Sequence, residues 1–181
     1  MKKILLISDS HRDQKIFLSI VEKHKDADLK IHAGDSCLNT DDPSLKDFIV
    51  VKGNHDLKTN FPEEIIEPPF YITHGHIVGV YISEENVLKK AKENQCKYVI
   101  HGHTHIPYFK KIDGVTVINP GSTMFNRGNY GFGTYAIMYL DENNDLVSLN
   151  FYHHKTHEEV SEMVLKDGEK TLAELRKLFN R

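Results

Sequence analysis

The sequence contains little cysteine, and none of it in a pattern that forms disulfide bridges or binds metal. Its two cysteines, Cys37 and Cys96, lie far apart and outside any Cys-x-x-Cys motif. This spacing excludes a disulfide-stabilised scaffold and a cysteine-ligated zinc site. Unpaired cysteines are typical of a reducing compartment, so we expect a cytoplasmic location.

Long apolar stretches are missing as well. No segment approaches the roughly 20 consecutive apolar residues that a membrane-spanning helix needs. The apolar start at residues 4–7 stops at Ser8. It is too short for the core of a signal peptide and fits a first β-strand better. We therefore expect no membrane as a partner.

The charge balance favours no polyanionic partner. The chain has 23 Lys and Arg against 26 Asp and Glu, for a formal net charge of -3. Proteins that bind extended nucleic acid usually carry clustered positive charge, so no extended nucleic acid is expected. The length of 181 residues, with 39% hydrophobic and 27% charged residues, suits one globular domain.

Two common catalytic motifs are also absent from the sequence. Without a Gly-x-Ser-x-Gly motif, a Ser-His-Asp hydrolase is a poor fit. Without Gly-x-x-x-x-Gly-Lys-Ser/Thr, a P-loop nucleotide site is excluded.

What the chain does have is a set of five short polar segments, each after an apolar run that predicts a buried strand. They are Asp9-Ser10-His11, Gly34-Asp35, Gly53-Asn54-His55-Asp56, Thr73-His74-Gly75-His76 and Gly102-His103-Thr104-His105. Their carboxylates, amide oxygen and imidazoles are ligands for two adjacent divalent cations. Two such cations activate a water and stabilise charge on a phosphoryl group, so the pattern predicts a phosphoester hydrolase.

Each segment alone has an ordinary structural explanation. Ser10 or Asp13 could cap the helix that follows, and Gly-Asp and Gly-Asn-His-Asp are common turn sequences. A single histidine at a strand end is more often structural, and His74 and His76 need not both bind metal. The prediction rests on five such segments at five strand ends.

The third segment and a later loop supply the predicted catalytic and substrate-binding residues. His55 follows the candidate ligand Asn54 and is placed to face the substrate. Asp56 is predicted to hold the second nitrogen of the His55 imidazole and fix its tautomer. Arg127 and Asn126 are predicted to bind the substrate phosphate, with a solvated surface arginine as the alternative for Arg127.

The hydrophobic pattern predicts an α/β protein of the α+β type. Helices are expected at residues 14–25 and 84–94, and hairpins join residues 108–112 to 115–118 and 134–140 to 146–152. Strands and a helix in the first half, followed by hairpins, predict a four-layer α/β/β/α sandwich with two mixed β-sheets flanked by helices.

Residues 1–155 are predicted to form the catalytic domain, and residues 156–181 a C-terminal helical tail packed on it. The helix is expected over residues 158–180, with Gly168 as an interruption. A dimer contact or a partner helix is the alternative for the tail, so a homo-oligomer stays open.

In this order, the segments D-x-H, G-D, G-N-H-D, H and G-H-x-H resemble the signature of the calcineurin-like metallophosphoesterase superfamily. The loop Asn119-Pro120-Gly121-Ser122 resembles one in its small single-domain phosphodiesterase branch, and the length agrees with that branch. The resemblance implies a β-sandwich flanked by helices and a metal-dependent phosphodiesterase. Arg12, where a small residue is frequent, and the tail depart from the pattern.

The resemblance also implies a role for each matching residue. Asp9, His11 and His105 would hold a first metal, with Asp35 bridging to a second. Asn54, His74 and His103 would complete the second metal site, and His55 matches a substrate-facing histidine. Mn²⁺ is the expected metal by family analogy, although the oxygen and nitrogen ligands also suit Fe, Ni, Co or Zn.

The expected reaction is in-line attack on the phosphorus of a small phosphodiester by a hydroxide that bridges the two metals. A protonated His55 would assist the leaving oxygen. A phosphomonoesterase acting on nucleotides or small phosphates is the nearest alternative. A non-catalytic interaction scaffold like the small subunit of retromer, which shares this fold, is the alternative of another class. The full set of ligand residues argues against it.

Overall fold

A computed structural model describes residues 1–179 of the chain. The strands in this part of the chain are β1 (Lys2–Ile7), β2 (Leu29–His32), β3 (Phe48–Val50), β4 (Glu64–Glu67), β5 (Phe70–Thr73), β6 (Tyr98–Ile100), β7 (Tyr108–Ile112), β8 (Val115–Asn119), β9 (Thr134–Leu140) and β10 (Leu146–His153). The α-helices are α1 (Gln14–Lys23), α2 (Glu85–Glu93) and α3 (Ser161–Phe179), and a short 3₁₀ helix spans Pro43–Leu45.

The strands form two mixed sheets of five strands each. The first sheet has the order β10-β9-β1-β2-β3, in which β1, β2 and β3 are parallel and β9 is antiparallel to both β1 and β10. The second sheet has the order β4-β5-β6-β8-β7, with β5, β6 and β8 parallel. Both sheets therefore contain three adjacent parallel strands whose carboxyl ends can carry a site.

The predicted four-layer sandwich is confirmed by how the apolar side chains are distributed. One buried cluster lies between the sheets and includes Ile4 and Leu6 from the first and Ile72 from the second. A second cluster joins the outer face of the first sheet to α1 through Phe17 and Ile20. A third joins the outer face of the second sheet to α2 and α3.

Strand β1 shows why its sequence is apolar at every position from 4 to 7. Side chains alternate across a strand, so Ile4 and Leu6 point between the sheets while Leu5 and Ile7 point towards α1. All four are fully buried. A strand covered on both faces needs a continuous apolar run rather than an alternating one.

Helix α1 begins at the predicted residue Gln14, but it ends two residues before the predicted residue 25. The Asp13 carboxylate accepts a hydrogen bond from the Ile16 N–H at 3.2 Å, so Asp13, one of the two candidate caps, satisfies a free N–H of the first turn. The helix ends at Lys23, and the His24 N–H donates to carbonyls of the last turn.

The prediction that Gly168 interrupts the C-terminal helix is wrong, because α3 is continuous from Ser161 to Phe179. Gly168 is buried, and a Cβ at this position would overlap the carbonyl oxygen of Pro107. The glycine therefore allows α3 to lie directly on the loop that follows His105. Val164 and Leu172 of α3 are buried in the clusters between the sheets and outside the second sheet. The predicted tail also includes Asn180 and Arg181, which lie outside the described residues.

Across residues 1–179, no helix has both the length and the apolar character that crossing a bilayer requires.

Candidate metal centre

The five polar segments lie at the carboxyl ends of β1, β2, β3, β5 and β6, where the two sheets meet. Backbone hydrogen bonds link these ends. The Asp9 N–H donates to the Gly34 carbonyl, the Gly102 N–H donates to the His74 carbonyl, and both are 3.0 Å long. Across the sheets, the His103 N–H donates to Asp9 Oδ2 at 3.1 Å. The segments therefore form one connected rim rather than separate turns.

Unusual backbone conformations concentrate at this rim. Eleven non-glycine residues among residues 1–179 have positive φ, and seven of them belong to the five polar segments or lie within two residues of them. They are Asp9, His11, Arg12, Asp35, Cys37, His103 and His105. The left-handed conformation costs an L-residue about 1–2 kcal/mol. Such strain persists where the fold directs side chains to a shared point.

One compact group of potential metal ligands consists of Asp9, His11 and His105. Their ligand atoms lie within 4.8 Å of one another. His105 Nε2 is 3.1 Å from Asp9 Oδ1 and 3.2 Å from His11 Nε2. These are the three residues predicted to hold the first metal together with the bridging Asp35.

A second compact group consists of Asp9, Asp35 and His74, again within 4.8 Å. His74 Nε2 is 3.3 Å from Asp35 Oδ2, 3.8 Å from Asp9 Oδ1 and 3.1 Å from Asn54 Oδ1. All three members of the group are buried. In this structure Asp9, rather than Asp35, belongs to both groups, and Asn54 adjoins the second one as predicted.

Hydrogen bonds to backbone carbonyls direct the Nε2 atoms of two histidines towards the site. His74 Nδ1 donates to the Ala33 carbonyl at 2.7 Å, and His105 Nδ1 donates to the Phe125 carbonyl at 3.2 Å. In each neutral ring, Nε2 is then an acceptor that faces carboxylate oxygens, which are also acceptors. Facing acceptors repel each other unless a proton or a cation lies between them. Backbone carbonyls that orient imidazoles in this way are typical of metal sites.

The charges of the site fit a cation for the same reason. Burial opposes protonation of His74, but the Asp9 and Asp35 carboxylates outweigh it and raise its pKa to about 9. Burial likewise disfavours the Asp9 carboxylate, but His74 and His105 hold its pKa well below its usual range. The Asp9 Oδ1 atom is buried and accepts no hydrogen bond of good geometry from residues 1–179. This buried anionic oxygen, which has imidazole nitrogens of His74 and His105 beside it, is the atom that a divalent cation would satisfy.

His103 is close to the site but outside both compact groups. Its ring centroid lies 5.2 Å from that of His74 and 5.0 Å from that of Tyr81. Burial lowers its pKa to about 4, so at neutral pH the imidazole is uncharged, as a metal ligand must be. His76 is half-buried, with its ring centroid 5.4 Å from that of His74, and its Nε2 lies 4.0 Å from Glu63.

His55 lies at the mouth of the site. Its side chain is exposed, and its ring centroid is 5.4 Å from that of His11 in an edge-on arrangement. The His55 N–H donates to Asp35 Oδ1 at 2.7 Å, which ties its backbone to a candidate metal ligand. The ring itself faces solvent on the side from which a substrate would enter.

Asp56 has a different role from the one predicted. Its buried carboxylate accepts hydrogen bonds from the N–H groups of Asp35, Gly53 and Cys37 at 2.7–2.8 Å. Within residues 1–179, it forms no hydrogen bond with the His55 imidazole. In the turn, the Asp56 side chain points into the protein while the neighbouring His55 side chain points outwards. Asp56 therefore fixes the loops that carry Asp35 and Asn54 instead of orienting His55.

Asn126 also differs from its prediction. It is 1% exposed, its Oδ1 accepts from the Ser122 N–H at 2.7 Å, and its Nδ2 donates to Thr134 Oγ1 at 2.8 Å. With both ends of its amide engaged inside the protein, Asn126 shapes the loop and does not face a substrate. The neighbouring Arg127 is exposed, and its guanidinium lies over the Tyr81 ring, 5.3 Å from its centroid.

Three residues have supporting roles that were not predicted from the sequence, although the loop that carries Asn119 and Ser122 was singled out there. Ser8 Oγ donates to Asp9 Oδ2 at 2.6 Å, and Ser122 Oγ donates to the Asp9 carbonyl at 2.8 Å. Asn119 Nδ2 donates to the Gly102 carbonyl and to Thr104 Oγ1, each at 2.9 Å, and so braces the loop that carries His103 and His105. A polar residue at the end of an apolar strand, as at Ser8 and Asn119, is the signal that could have found two of them.

Gly102 is required by the close approach of the two sheets. A Cβ at this position would overlap Ser8 Oγ and lie 2.6 Å from Asp9 Oδ2. No side chain fits there without displacing the Asp9 carboxylate, so the glycine of the fifth segment makes room for the aspartate of the first.

Comparison with known proteins agrees with this geometry. The profile of the calcineurin-like phosphoesterase superfamily domain matches residues 1–143. A protein of Bacillus subtilis (strain 168) named probable metallophosphoesterase YsnB is 36% identical over 154 residues, covering 82% of this chain and 89% of that protein. A protein of Methanocaldococcus jannaschii named as a phosphodiesterase is 31% identical over 144 residues, covering 66% of this chain and 82% of the relative.

Solved structures with the same fold include proteins of two kinds. A crystal structure from Streptococcus pneumoniae TIGR4, of a conserved uncharacterized protein described as a predicted phosphoesterase, superposes with a TM-score of 0.81 at 27% identity. It covers 88% of this chain and 92% of its own. Vacuolar Protein Sorting 29 from Cryptosporidium parvum superposes with a TM-score of 0.69 at 18% identity, covering 88% and 94%. The second likeness concerns the fold alone.

Proposed function

Because the chain belongs to the calcineurin-like phosphoesterase superfamily, which comprises metal-dependent phosphoester hydrolases, we propose that it is a phosphodiesterase with two divalent cations. The observation that supports it best is the pair of compact ligand groups that share the buried Asp9. Their carboxylate oxygens are acceptors, and the imidazole nitrogens become acceptors when a cation displaces their protons. Mn²⁺ is our first choice of metal by analogy with the family, and the oxygen and nitrogen ligands also suit Fe, Ni, Co or Zn.

The residues would divide between two adjacent cations. Asp9, His11 and His105 would hold one, and Asp35, Asn54, His74 and His103 the other, with the two carboxylates between them. When bound, such cations lower the pKa of a water and stabilise negative charge on phosphoryl oxygens. The protein contributes the fixed positions: Ala33 and Phe125 hold the tautomers of His74 and His105, and Ser8 holds the Asp9 carboxylate.

His55 would donate a proton to the leaving oxygen. Its imidazole is exposed at the mouth of the site, beside His11, and its backbone is tied to Asp35. A side chain in this position can reach an ester oxygen on the phosphorus without being a metal ligand. Arg127 would contact a phosphoryl oxygen from the other side, because the stacking on Tyr81 restricts its guanidinium and leaves the donors exposed.

The expected substrate is a small phosphodiester. A relative named as a phosphodiesterase supports the diester, and the acidic chain argues against an extended nucleic acid. Phosphomonoester hydrolysis is the competing activity. The two are separated by the ratio of turnover on bis-p-nitrophenyl phosphate to turnover on p-nitrophenyl phosphate.

The experiment that tests the proposal measures bis-p-nitrophenyl phosphate hydrolysis by metal-stripped protein, before and after Mn²⁺ is added. We expect turnover only with metal, and two metal ions per chain by elemental analysis. Asp35→Ala should lose both the turnover and the bound metal. Asp47→Ala, at an exposed position away from the site, is the control for charge removal.

The outcomes divide clearly. Restoration of turnover by metal in the wild type and in Asp47→Ala, but not in Asp35→Ala, supports a metallophosphodiesterase. A folded protein that binds two metals and hydrolyses neither chromogenic ester would overturn the diesterase proposal and favour an interaction scaffold.

A further inference from the structure

Beside the metal centre lies a second concave surface, a cleft of about 180 Å³ that we call the Arg12 cleft. His55 lines it together with Arg12, Leu38, Leu57 and Lys58. It is smaller than the roughly 300–1,000 Å³ of pockets that enclose drug-sized ligands. Since His55 belongs both to this cleft and to the mouth of the metal centre, the two spaces are continuous.

The charge of the cleft is positive although the chain as a whole is acidic. Arg12 and Lys58 contribute two positive charges and Asp56 one negative charge. The Asp56 oxygens already accept three backbone N–H groups and a hydroxyl, so its charge is compensated inside the protein. The positively charged side chains of Arg12 and Lys58 are then available to bind an anion from solution.

Arg12 is held in place rather than loosely solvated. Its backbone is left-handed, with φ of 67°, and its N–H donates to the Ser36 carbonyl at 3.1 Å. Its Nε donates to the Cys37 carbonyl at 2.8 Å. No carboxylate among residues 1–179 forms an ion pair with Arg12, so the two Nη groups present free donors. A guanidinium fixed through Nε offers a planar pair of donors that matches a carboxylate or a phosphate.

Two leucines line the cleft beside the polar side chains of Asn39 and Thr59. Leu57 is 81% exposed, and Leu38 forms the floor at 8% exposure. An exposed leucine beside the positive charges of Arg12 and Lys58 suits an organic group with an anionic end better than a bare inorganic ion. The size, the charge and the apolar surface thus describe one type of ligand.

The position of the Arg12 cleft relative to His55 indicates which part of a substrate would enter the cleft. If His55 protonates the leaving oxygen, the leaving alcohol extends past His55 and into this cleft. We propose that the Arg12 cleft binds the leaving alcohol and selects alcohols that carry a second anionic group, a carboxylate or a phosphate. This proposal rests on the proposed function, since it takes the phosphorus to be at the metal centre.

The test uses two diesters of nearly the same shape that differ in that charge: methyl 4-carboxyphenyl phosphate and methyl 4-carbamoylphenyl phosphate. We expect the Mn²⁺-loaded wild type to favour the carboxylate by about tenfold in kcat/KM, as for one charge-assisted contact. Arg12→Met should remove most of this preference, because only the carboxylate loses a charge-assisted contact. Arg12→Lys should keep part of the preference, and Lys58→Met should lower it less.

The control is Lys110→Met, which removes an exposed positive charge from β7 and should leave the ratio unchanged. A thermal unfolding scan of each variant shows whether it is folded. The same ratio in the wild type and in Arg12→Met would overturn the proposal while leaving the phosphodiesterase intact.

A binding measurement separates the two proposals. The leaving alcohols themselves, 4-hydroxybenzoate and 4-hydroxybenzamide, are titrated into metal-free protein by NMR, so that no metal competes for the carboxylate. We expect tighter binding of the benzoate, with shifts at residues 12, 57 and 58, and loss of this preference in Arg12→Met. That result without hydrolysis of either diester would support the cleft and reject the proposed reaction. Equal binding of both alcohols would reject the cleft.

Discussion

The two sheets bring different chemistry to the candidate site. The first sheet supplies the candidate oxygen ligands Asp9, Asp35 and Asn54, and the second supplies candidate imidazole ligands from the ends of β5 and β6. His11 is the exception, a nitrogen ligand from the first sheet. The negative charge of the candidate site thus comes from the first sheet, and most of its nitrogen atoms come from the second sheet. Neither layer alone holds a complete site, so metal binding would cross-link the sandwich.

Removing a carboxylate contributed by the first sheet should have the largest effect on metal content and activity. Asp9 belongs to both ligand groups, so Asp9→Asn should lose both metals and lower activity about a thousandfold or more. His105→Ala, on the nitrogen side, belongs to one group and should retain one metal. Elemental analysis of the two variants checks this, and equal metal loss in both would contradict the division between the sheets.

Each sheet also carries a buried histidine behind the site, and both should behave alike. Burial lowers the pKa of His32 in the first sheet and of His101 in the second to about 4. In the unfolded chain both titrate near 6.5, so the unfolded state takes up protons first as the pH falls. Stability is therefore full above pH 6.5 and lost between 6.5 and 4, by up to roughly 3 kcal/mol for each histidine.

The measurement is an NMR titration of the imidazole resonances, with denaturant unfolding at pH 7 and pH 4.5. Neither His32 nor His101 should titrate above pH 5 in the folded protein. A midpoint near 6.5 for one of them would show that its sheet is open to water at this end and that the two layers are not equivalent.

Metal removal tests whether the site cross-links the layers. A ligand present at about one hundred times its Kd stabilises the folded state by ~2.7 kcal/mol. For a chain of this size that corresponds to a melting temperature about 5–10 °C higher with metal than with chelator. Differential scanning calorimetry measures it. Asp9→Asn should show no metal-dependent shift, and an equal shift in that variant would place the stabilising metal elsewhere.

The smallest effects are expected from the residues that support each side. Ser8→Ala removes a hydrogen bond to the Asp9 carboxylate, and Asn119→Ala removes two from the loop of His103 and His105. Loss of such supports typically lowers metal affinity or activity about 10–100-fold. Metal titration of both variants compares the sheets directly. Affinities within twofold of the wild type would show that the ligands are positioned without these contacts.

The sequence predicted the strands and the ligand segments because both depend on local patterns. A run such as residues 4–7 is recognisable wherever a strand is buried on both faces, and a polar segment after it marks a strand end. The structure brings the predicted ligands Asp9, His74 and His105 together, although their binding to a metal stays a prediction. The sequence did not show where side chains point in the loops that contain left-handed residues. In these loops, the side chains of adjacent residues can point to opposite sides of the chain.

The errors follow from that limit and from tertiary contacts. His55 and Asp56 are adjacent, yet one faces solvent and the other accepts backbone N–H groups inside the protein. Asn126 is buried although it lies in a surface loop. Gly168 resembled a helix break, but its role depends on Pro107, a residue 61 positions earlier that no local pattern connects to it.

The place of β1 in its sheet has a consequence for how fast the chain can fold. Its neighbours are β2, close in sequence, and β9, whose Leu140 pairs with Lys2. The central strand is therefore complete only after most of the chain has been ordered, and the loop entropy lost on the way is large. Folding should be slow compared with a helical protein of this length. Until β9 arrives, the apolar edge of β1 is exposed to pairing with other chains.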